Sequence, residues 1–288
     1  MTYISALSFK IENPDVMVVL ITTPEDKEQI ETISMRNGLV FDEIVTPEVP
    51  TEIVSEGPVM ISRFLRTNIG RFFSPPLIFL DSDTVTFREV PRLEEVEQGF
   101  DVALCHDRNE EFKSPYFPNW IRPHYDALGW RPHRLGYFNA GIFSLADTES
   151  AKRFLELWYE NFQAFYRQSG KILDQPAFNA SMFQAEIAPD ILPVSYNAIV
   201  ESSPYFAKSA RIVHYFMKGA PRRLPEDSIL HQLVELLSLN GEFDPEKLRK
   251  DLARGNPWHT TVGSVHRSLA VGNYKMALSC LFERILGS

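Results

Sequence analysis

Two carboxylates spaced i and i+2, Asp81 and Asp83, stand directly after the apolar run Leu77-Ile78-Phe79-Leu80. A buried strand that ends in paired acids delivers hard oxygen ligands to the carboxyl edge of a sheet, where open α/β sheets bind their ligands. Such oxygens suit Mg²⁺ or Mn²⁺, and those ions in turn bridge the two phosphates of a diphosphate. An isolated Asp-x-Asp is more often a strand-end turn whose aspartates cap backbone amides, so the pair gains meaning only from what else the chain supplies. Three further segments supply it. Gly136-Tyr137-Phe138-Asn139-Ala140-Gly141-Ile142-Phe143 places an amide and a small residue pair at the start of a strand. Leu173-Asp174-Gln175-Pro176-Ala177-Phe178-Asn179 sets a carboxylate beside an amide just ahead of a helix. Ala210-Arg211-Ile212-Val213-His214 ends an apolar strand in a histidine, with Lys218 and Gly219 close behind. A lone strand-end histidine is more often a hydrogen-bonded structural residue than a ligand.

The elements that must position these groups are legible as short apolar runs alternating with helical patterns, the signature of α/β layering around a mainly parallel sheet. Residues 16–21, 77–80, 102–105 and 138–145 read as strands, and residues 25–37, 59–73 and 148–165 as helices. Residues 106–136 break the pattern with a long excursion dense in aromatic, proline, histidine and arginine residues. From about residue 225 the chain turns helical, so the expected division is a sheet domain over 1–224 and a helical C-terminal appendage over 225–288.

Composition narrows the function. A chain of 288 residues with 44% hydrophobic content can bury a sizeable core. Its net charge of −9 argues against nucleic acid as a partner. Two cysteines, Cys105 and Cys280, build neither a disulfide framework nor a zinc site. No apolar stretch approaches the roughly 18–20 residues that span a bilayer, and no basic-then-apolar leader opens the chain. The expectation is a soluble cytoplasmic protein.

Taken in order, the four motifs resemble those of the glycogenin-like retaining glycosyltransferases, glycosyltransferase family 8 and its close relatives, over residues 7–222. The resemblance implies a GT-A-like, Rossmann-type fold that binds a nucleotide-diphosphate sugar, a UDP-sugar in the simplest case, and transfers a hexose with retention of configuration. It implies Asp81, Asp83 and His214 as ligands of Mn²⁺ or Mg²⁺. It implies donor contacts from Arg63, Asp81, Ser82, Asn139, Ala140, Gly141, Lys218 and Gly219. Asp174 and Gln175 match the residues at the reacting sugar. Two departures stand out. Relatives carry His-x-x-Gly-x-x-Lys-Pro where this chain has His214 followed by Lys218, Gly219 and Pro221. Relatives also open with a strand ahead of the helix that Ala6-Leu7-Ser8-Phe9-Lys10 resembles, so a groove or unpaired edge is expected beside residues 16–21. Tyr3 lies too close to that helix to match the family's base-stacking tyrosine.

The acceptor, whether saccharide, protein or lipid, is not legible. Tyr116, Phe117, Trp120, Tyr125 and Trp130 either stack on sugar rings, helped by Arg122, Arg131 and Arg134, or pack the excursion onto the sheet. Two readings compete with catalysis: a glycosyltransferase-like protein that binds without transfer, and a nucleotidyltransferase, which would carry a glycine-rich loop near its N-terminus. The tail poses its own question. Residues 247–288 hold seven Lys or Arg and two Asp or Glu, interleaved with Trp258, Leu278, Leu281, Phe282 and Ile285. They either rest on an anionic membrane as a peripheral contact or cap the sheet domain, and a leucine and phenylalanine stripe favours the cap.

Overall fold

The computed structural model describes residues 1–107, 117–199, 209–215, 226, 228–240, 244–258, 265–270 and 272–286. In chain order the elements are α1 (Thr2–Glu12), β1 (Val19–Ile21), α2 (Pro24–Asn37), β2 (Glu43–Val45), α3 (Thr51–Ser55), α4 (Pro58–Thr67), α5 (Ile69–Phe72), β3 (Leu77–Leu80), β4 (Thr84–Thr86), α6 (Pro91–Glu94) and β5 (Val102–His106). There follow α7 (Arg122–Leu128), β6 (Phe138–Leu145), α8 (Glu149–Ser169), α9 (Gln175–Gln184), β7 (Pro189–Ile191), β8 (Ala198–Ile199), β9 (Ile212–His214), α10 (Ile229–Asn240), α11 (Pro245–Ala253), α12 (Val265–Ala270) and α13 (Tyr274–Leu286).

Local chemistry sets the ends of the main helices. Thr23 caps α2 by accepting from the Asp26 amide, Pro24 opens its first turn, and Gly38 closes it at φ 101°. Thr148 caps α8 through the Ala151 amide, and Gly170 ends it in the left-handed region. The helix expected over 59–73 is two helices, α4 and α5, divided at Asn68, whose side-chain amide donates to the Phe64 carbonyl.

The α/β class holds, but the single mainly parallel sheet does not. Strands group as β1-β2, β3-β6-β5-β7 and β4-β9-β8. β6 runs antiparallel between β3 and β5, β7 is parallel to β5, and β9 pairs antiparallel with β4 and parallel with β8. The reason lies in burial. All eight residues of β6 are buried, and a strand covered on both faces reads as one apolar run whichever way it points. Around it Phe143, Phe154, Trp158 and Phe178 meet edge to face.

The expected groove is present. β1 pairs with β2 and β3 with β6, and a cavity of about 1240 Å³ lies between the facing edges of the two sheets, lined by residues 16–23 on one side and 77–82 on the other. Tyr3 has a structural place instead of a ligand-facing one: it is buried, and its hydroxyl meets the Asn37 and Gly38 carbonyls.

The C-terminal helices share a core with the sheets. Leu230, Leu233, Leu248, Leu252, Trp258 and Ala270 pack with Tyr3, Ile4, Val85 and Val213. That part of the tail caps the sheet domain as expected, whereas the α13 stripe departs from the cap reading, because Leu281 and Phe282 are 44% and 59% exposed instead of buried.

Candidate active site

The two acids and the histidine are brought together by a junction between sheets. β3 stays in register with β6 for one residue beyond its end, where the Asp81 amide donates to the Gly141 carbonyl at 2.8 Å. The chain then turns through Ser82 and Asp83 into β4, which belongs to a different sheet and pairs Thr84 with His214. Two contacts fix that turn: the Thr84 hydroxyl donates to the Asp81 carbonyl at 2.7 Å, and the Tyr215 amide donates to the Asp83 carbonyl at 2.9 Å. Strand pairing therefore dictates the convergence of residues remote in sequence.

At this junction one ligand atom from each of Asp81, Asp83 and His214 lies within 4.8 Å of the others. His214 Nε2 is 3.2 Å from Asp83 Oδ1 and 3.9 Å from Asp81 Oδ2. The shorter distance matches neighbouring corners of an octahedron, which stand about 3 Å apart for bonds of about 2.1 Å. The imidazole is 2% exposed, whereas the carboxylates are 25% and 18% exposed.

A hydrogen-bond relay decides which imidazole nitrogen faces the acids. The Gly141 amide donates to Asn139 Oδ1 at 2.9 Å, so that oxygen is the acceptor and the amide orientation is fixed. Asn197 Nδ2 donates to the same oxygen at 2.9 Å, which leaves Asn197 Oδ1 as the acceptor 3.0 Å from His214 Nδ1. Nδ1 thus carries a proton, and Nε2 is the atom that faces Asp83 and Asp81, available to an ion once it gives up its own proton.

Gly141 has a steric reason to be glycine. A Cβ there would lie 2.5 Å from His214 Cε1, 2.7 Å from Asp81 Oδ2 and 3.0 Å from Asn139 Oδ1.

Behind the acids stands a buried ion-pair network. Arg66 is 3.2 Å from Asp81 Oδ1 through Nη1 and 3.0 Å from Asp174 Oδ2 through Nε, and its other Nη donates to the Ala140 carbonyl. Its guanidinium rests over the Phe79 ring at 4.9 Å. Arg63 holds the other oxygen of Asp174 at 3.2 Å. Gln175 accepts from the Ala140 amide at 3.2 Å and donates to Asp107 at 2.7 Å, and Asn139 Nδ2 reaches the same Asp107 oxygen at 3.3 Å.

The electrostatics are those of crowded carboxylates. Burial acts most strongly on His214 and disfavours its charge, yet Asp83 and Asp81 outweigh it and hold the pKa above the usual histidine value. Burial together with the Asp83 charge outweighs Arg66 at Asp81 and raises its pKa. At Asp83 burial is overcome by His214, and the carboxyl falls below its usual range. Arg66 loses some basicity to burial but regains more from Asp174, Asp81 and Asp83.

Sequence reasoning and structure coincide on Asp81, Asp83 and His214, with Asn139, Ala140, Gly141, Asp174, Gln175 and Arg63 gathered around them. Ser82 is exposed at the apex of the turn. Lys218 and Gly219 lie outside the described residues. Reading the sequence missed Arg66, Asp107 and Asn197. Arg66 was within reach, since it follows Arg63 by three positions and shares its helix face. Asn197 sits in a short turn and carried no signal.

The aromatic excursion resolves mostly into packing. Phe117, Tyr125, Trp130 and Tyr137 form an edge-to-face cluster. Trp120 is 49% exposed, with Lys171 5.0 Å from its ring. Tyr116 lies outside the described residues.

The strand ends of this α/β chain gather an Asp-x-Asp pair and a histidine into a possible acidic metal site beside a large cavity. The nucleotide-diphospho-sugar transferase family matches residues 73–218, about half of the 288-residue chain, and the chain belongs to that family. All four sequence motifs fall inside the matched span. No curated protein matches the chain. Among solved structures it is similar to the galactosyltransferase LgtC in complex with donor and acceptor sugar analogues, at 14% identity over 76% of this chain and 83% of that one, TM-score 0.46. It is similar to mouse xyloside xylosyltransferase 1 in its apo form, at 13% identity over 76% of this chain and 94% of that one, TM-score 0.42. The glycosyltransferase GlyE of Streptococcus pneumoniae TIGR4 is similar at 14% identity over 85% of this chain and 66% of that one, TM-score 0.45.

Proposed function

We propose that the chain is a hexosyltransferase that moves a sugar from a nucleotide-diphosphate donor, a UDP-sugar, to an acceptor with retention of configuration, using Mn²⁺ or Mg²⁺ held by Asp81, Asp83 and His214. The observation that carries this reading is the approach of His214 Nε2 to both carboxylates while Nδ1 is engaged by Asn197. The donor set fits such an ion: two carboxylate oxygens and one neutral imidazole nitrogen suit Mn²⁺, and Mg²⁺ is served by the oxygens.

Charge supports the same reading. The carboxylates of Asp81, Asp83, Asp107 and Asp174 outnumber the cations of the cluster, so it is net negative and repels a diphosphate. A divalent ion held there would offset that charge and would supply Lewis-acid stabilisation of the departing phosphate. The chain's own residues do the positioning. Arg66 spans Asp81 and Asp174 and so couples the acid pair to α9. Both Asp174 oxygens are engaged by arginines, which suits an orienting role better than that of a covalent nucleophile. Gln175 and Asn139 share Asp107 and hold their amides at the site, while Lys218 and Gly219 would meet phosphate. With both Asp174 oxygens held by arginines, retention fits same-face attack assisted by the leaving phosphate better than a double displacement.

Hydrolysis and transfer assays with a panel of nucleotide sugars, with and without Mn²⁺, test the proposal. Turnover that needs a divalent ion and vanishes in Asp83→Ala is expected; equal turnover without any divalent ion would sink it. One observation favours the competing, non-catalytic reading: the open groove between β1 and β3, where a continuous sheet would give the base firmer support. Donor binding with Mn²⁺ but no turnover of any donor would leave that reading standing.

A further inference from the structure

α13 is amphipathic in an unusual sense, because its apolar side faces outward. At about 100° per residue, Ala277 and Cys280 lie on one side, and both are 3% exposed. Tyr274, Leu278, Leu281, Phe282 and Ile285 occupy a separate arc about 100° wide and are 44–64% exposed. Neighbouring Leu269 of α12 is 39% exposed. A run of large exposed side chains at helical spacing is not the scattered apolar surface of an ordinary monomer.

We propose that this face of α13 rests on an anionic lipid surface, holding the protein at a membrane as a peripheral, non-spanning partner. Charge complementarity selects the occupant. Residues 247–288 contain seven Lys or Arg against two Asp or Glu, while the whole chain carries 29 against 38. A negatively charged surface therefore attracts this end of the molecule and repels the rest, which sets its orientation. Lys275 is exposed beside Tyr274, at the border of the apolar arc, and Lys247 and Lys250 are exposed on α11. The combination of a basic segment with Tyr, Phe and Leu on one helix face is that of an interfacial helix. A protein groove would accept the same stripe but gives no reason for the basic excess. No helix among the described residues is long and apolar enough to cross a membrane, so the contact is with the surface. The inference stands independently of the donor chemistry.

Co-sedimentation of the full chain with vesicles of phosphatidylcholine alone or mixed with phosphatidylglycerol tests it. Binding to the anionic vesicles is expected, weakening between about 50 mM and about 500 mM salt. Leu278→Glu with Phe282→Glu, both at exposed positions, is expected to cut binding roughly tenfold or more, with the fold checked by circular dichroism. Lys275→Glu supplies a second arm and is expected to weaken binding to anionic vesicles alone. Failure of the parent chain to bind anionic vesicles overturns the proposal, and so does undiminished binding by the folded double variant. A parent that is dimeric by light scattering and becomes monomeric in the double variant also overturns it, because a second copy would then be what covers the stripe.

Discussion

At the scale of single residues, the candidate site depends on side chains that touch no substrate. Asn197 is 1% exposed and orients His214 by accepting at its oxygen while donating to Asn139. Removing it in Asn197→Ala frees the imidazole to rotate or to change tautomer, and a lost orienting partner typically costs about 10–100-fold in metal affinity. Titration of Mn²⁺ followed by its paramagnetic resonance signal should show a loss in that range. Asn197→Asp restores the acceptor for Nδ1 and should recover part of the affinity; equal affinity in all three chains would remove Asn197 from the site. Gly141→Ala acts on the same geometry by steric means. Its methyl group would press on His214 Cε1 and Asp81 Oδ2, so Mn²⁺ binding is expected to be lost while the far-ultraviolet circular dichroism is retained. The acids, Asn139, Gly141 and His214 were legible in sequence because their spacing repeats a family's motif order. Arg66 and Asn197 were not, since a buried arginine is written no differently from a surface one and an asparagine after a tyrosine reads as a turn.

At the scale of elements, the junction of β3 with β4 explains why the site forms. β3 carries Asp81 in one sheet, β4 pairs with His214 in another, and the turn between them is the site. The individual strands were readable from apolar runs bounded by prolines and asparagine. Their directions were not, because continuous burial erases the alternation that would separate antiparallel from parallel neighbours. One consequence is measurable. Leu77-Ile78-Phe79-Leu80 is more apolar than the fully buried β6 but only half-buried, and one of its edges faces the groove opposite β1. Amides on an unpaired edge exchange with solvent far sooner than those in the centre of a sheet. Hydrogen exchange read by mass spectrometry should therefore show β1 and β3 exchanging well ahead of β5 and β6. Protection equal to that of β6 would mean that the groove is closed in solution by another strand.

At the scale of the whole molecule, the network around Arg66 ties local charge to global stability. Arg66 is 8% exposed, paired with Asp81 and Asp174, and stacked near Phe79 and Trp158. Breaking a buried pair by removing one partner costs about 3–5 kcal/mol, mainly because the abandoned carboxylates stay buried. Methionine at this position keeps much of the packing volume, so Arg66→Met isolates the charge. The variant should melt well below the parent in metal-free buffer. Mn²⁺ held only by the folded cluster would stabilise the parent by about 2.7 kcal/mol at a hundredfold excess over its dissociation constant. In Arg66→Met the same ion would also offset carboxylate repulsion that the arginine no longer balances. The rise in Tm on adding Mn²⁺ should therefore be larger in the variant than in the parent, as read by scanning fluorimetry at the same free Mn²⁺ concentration. Equal rises in the two chains would show that Arg66 and the ion act independently, and no rise in either would remove the acid cluster as a metal site.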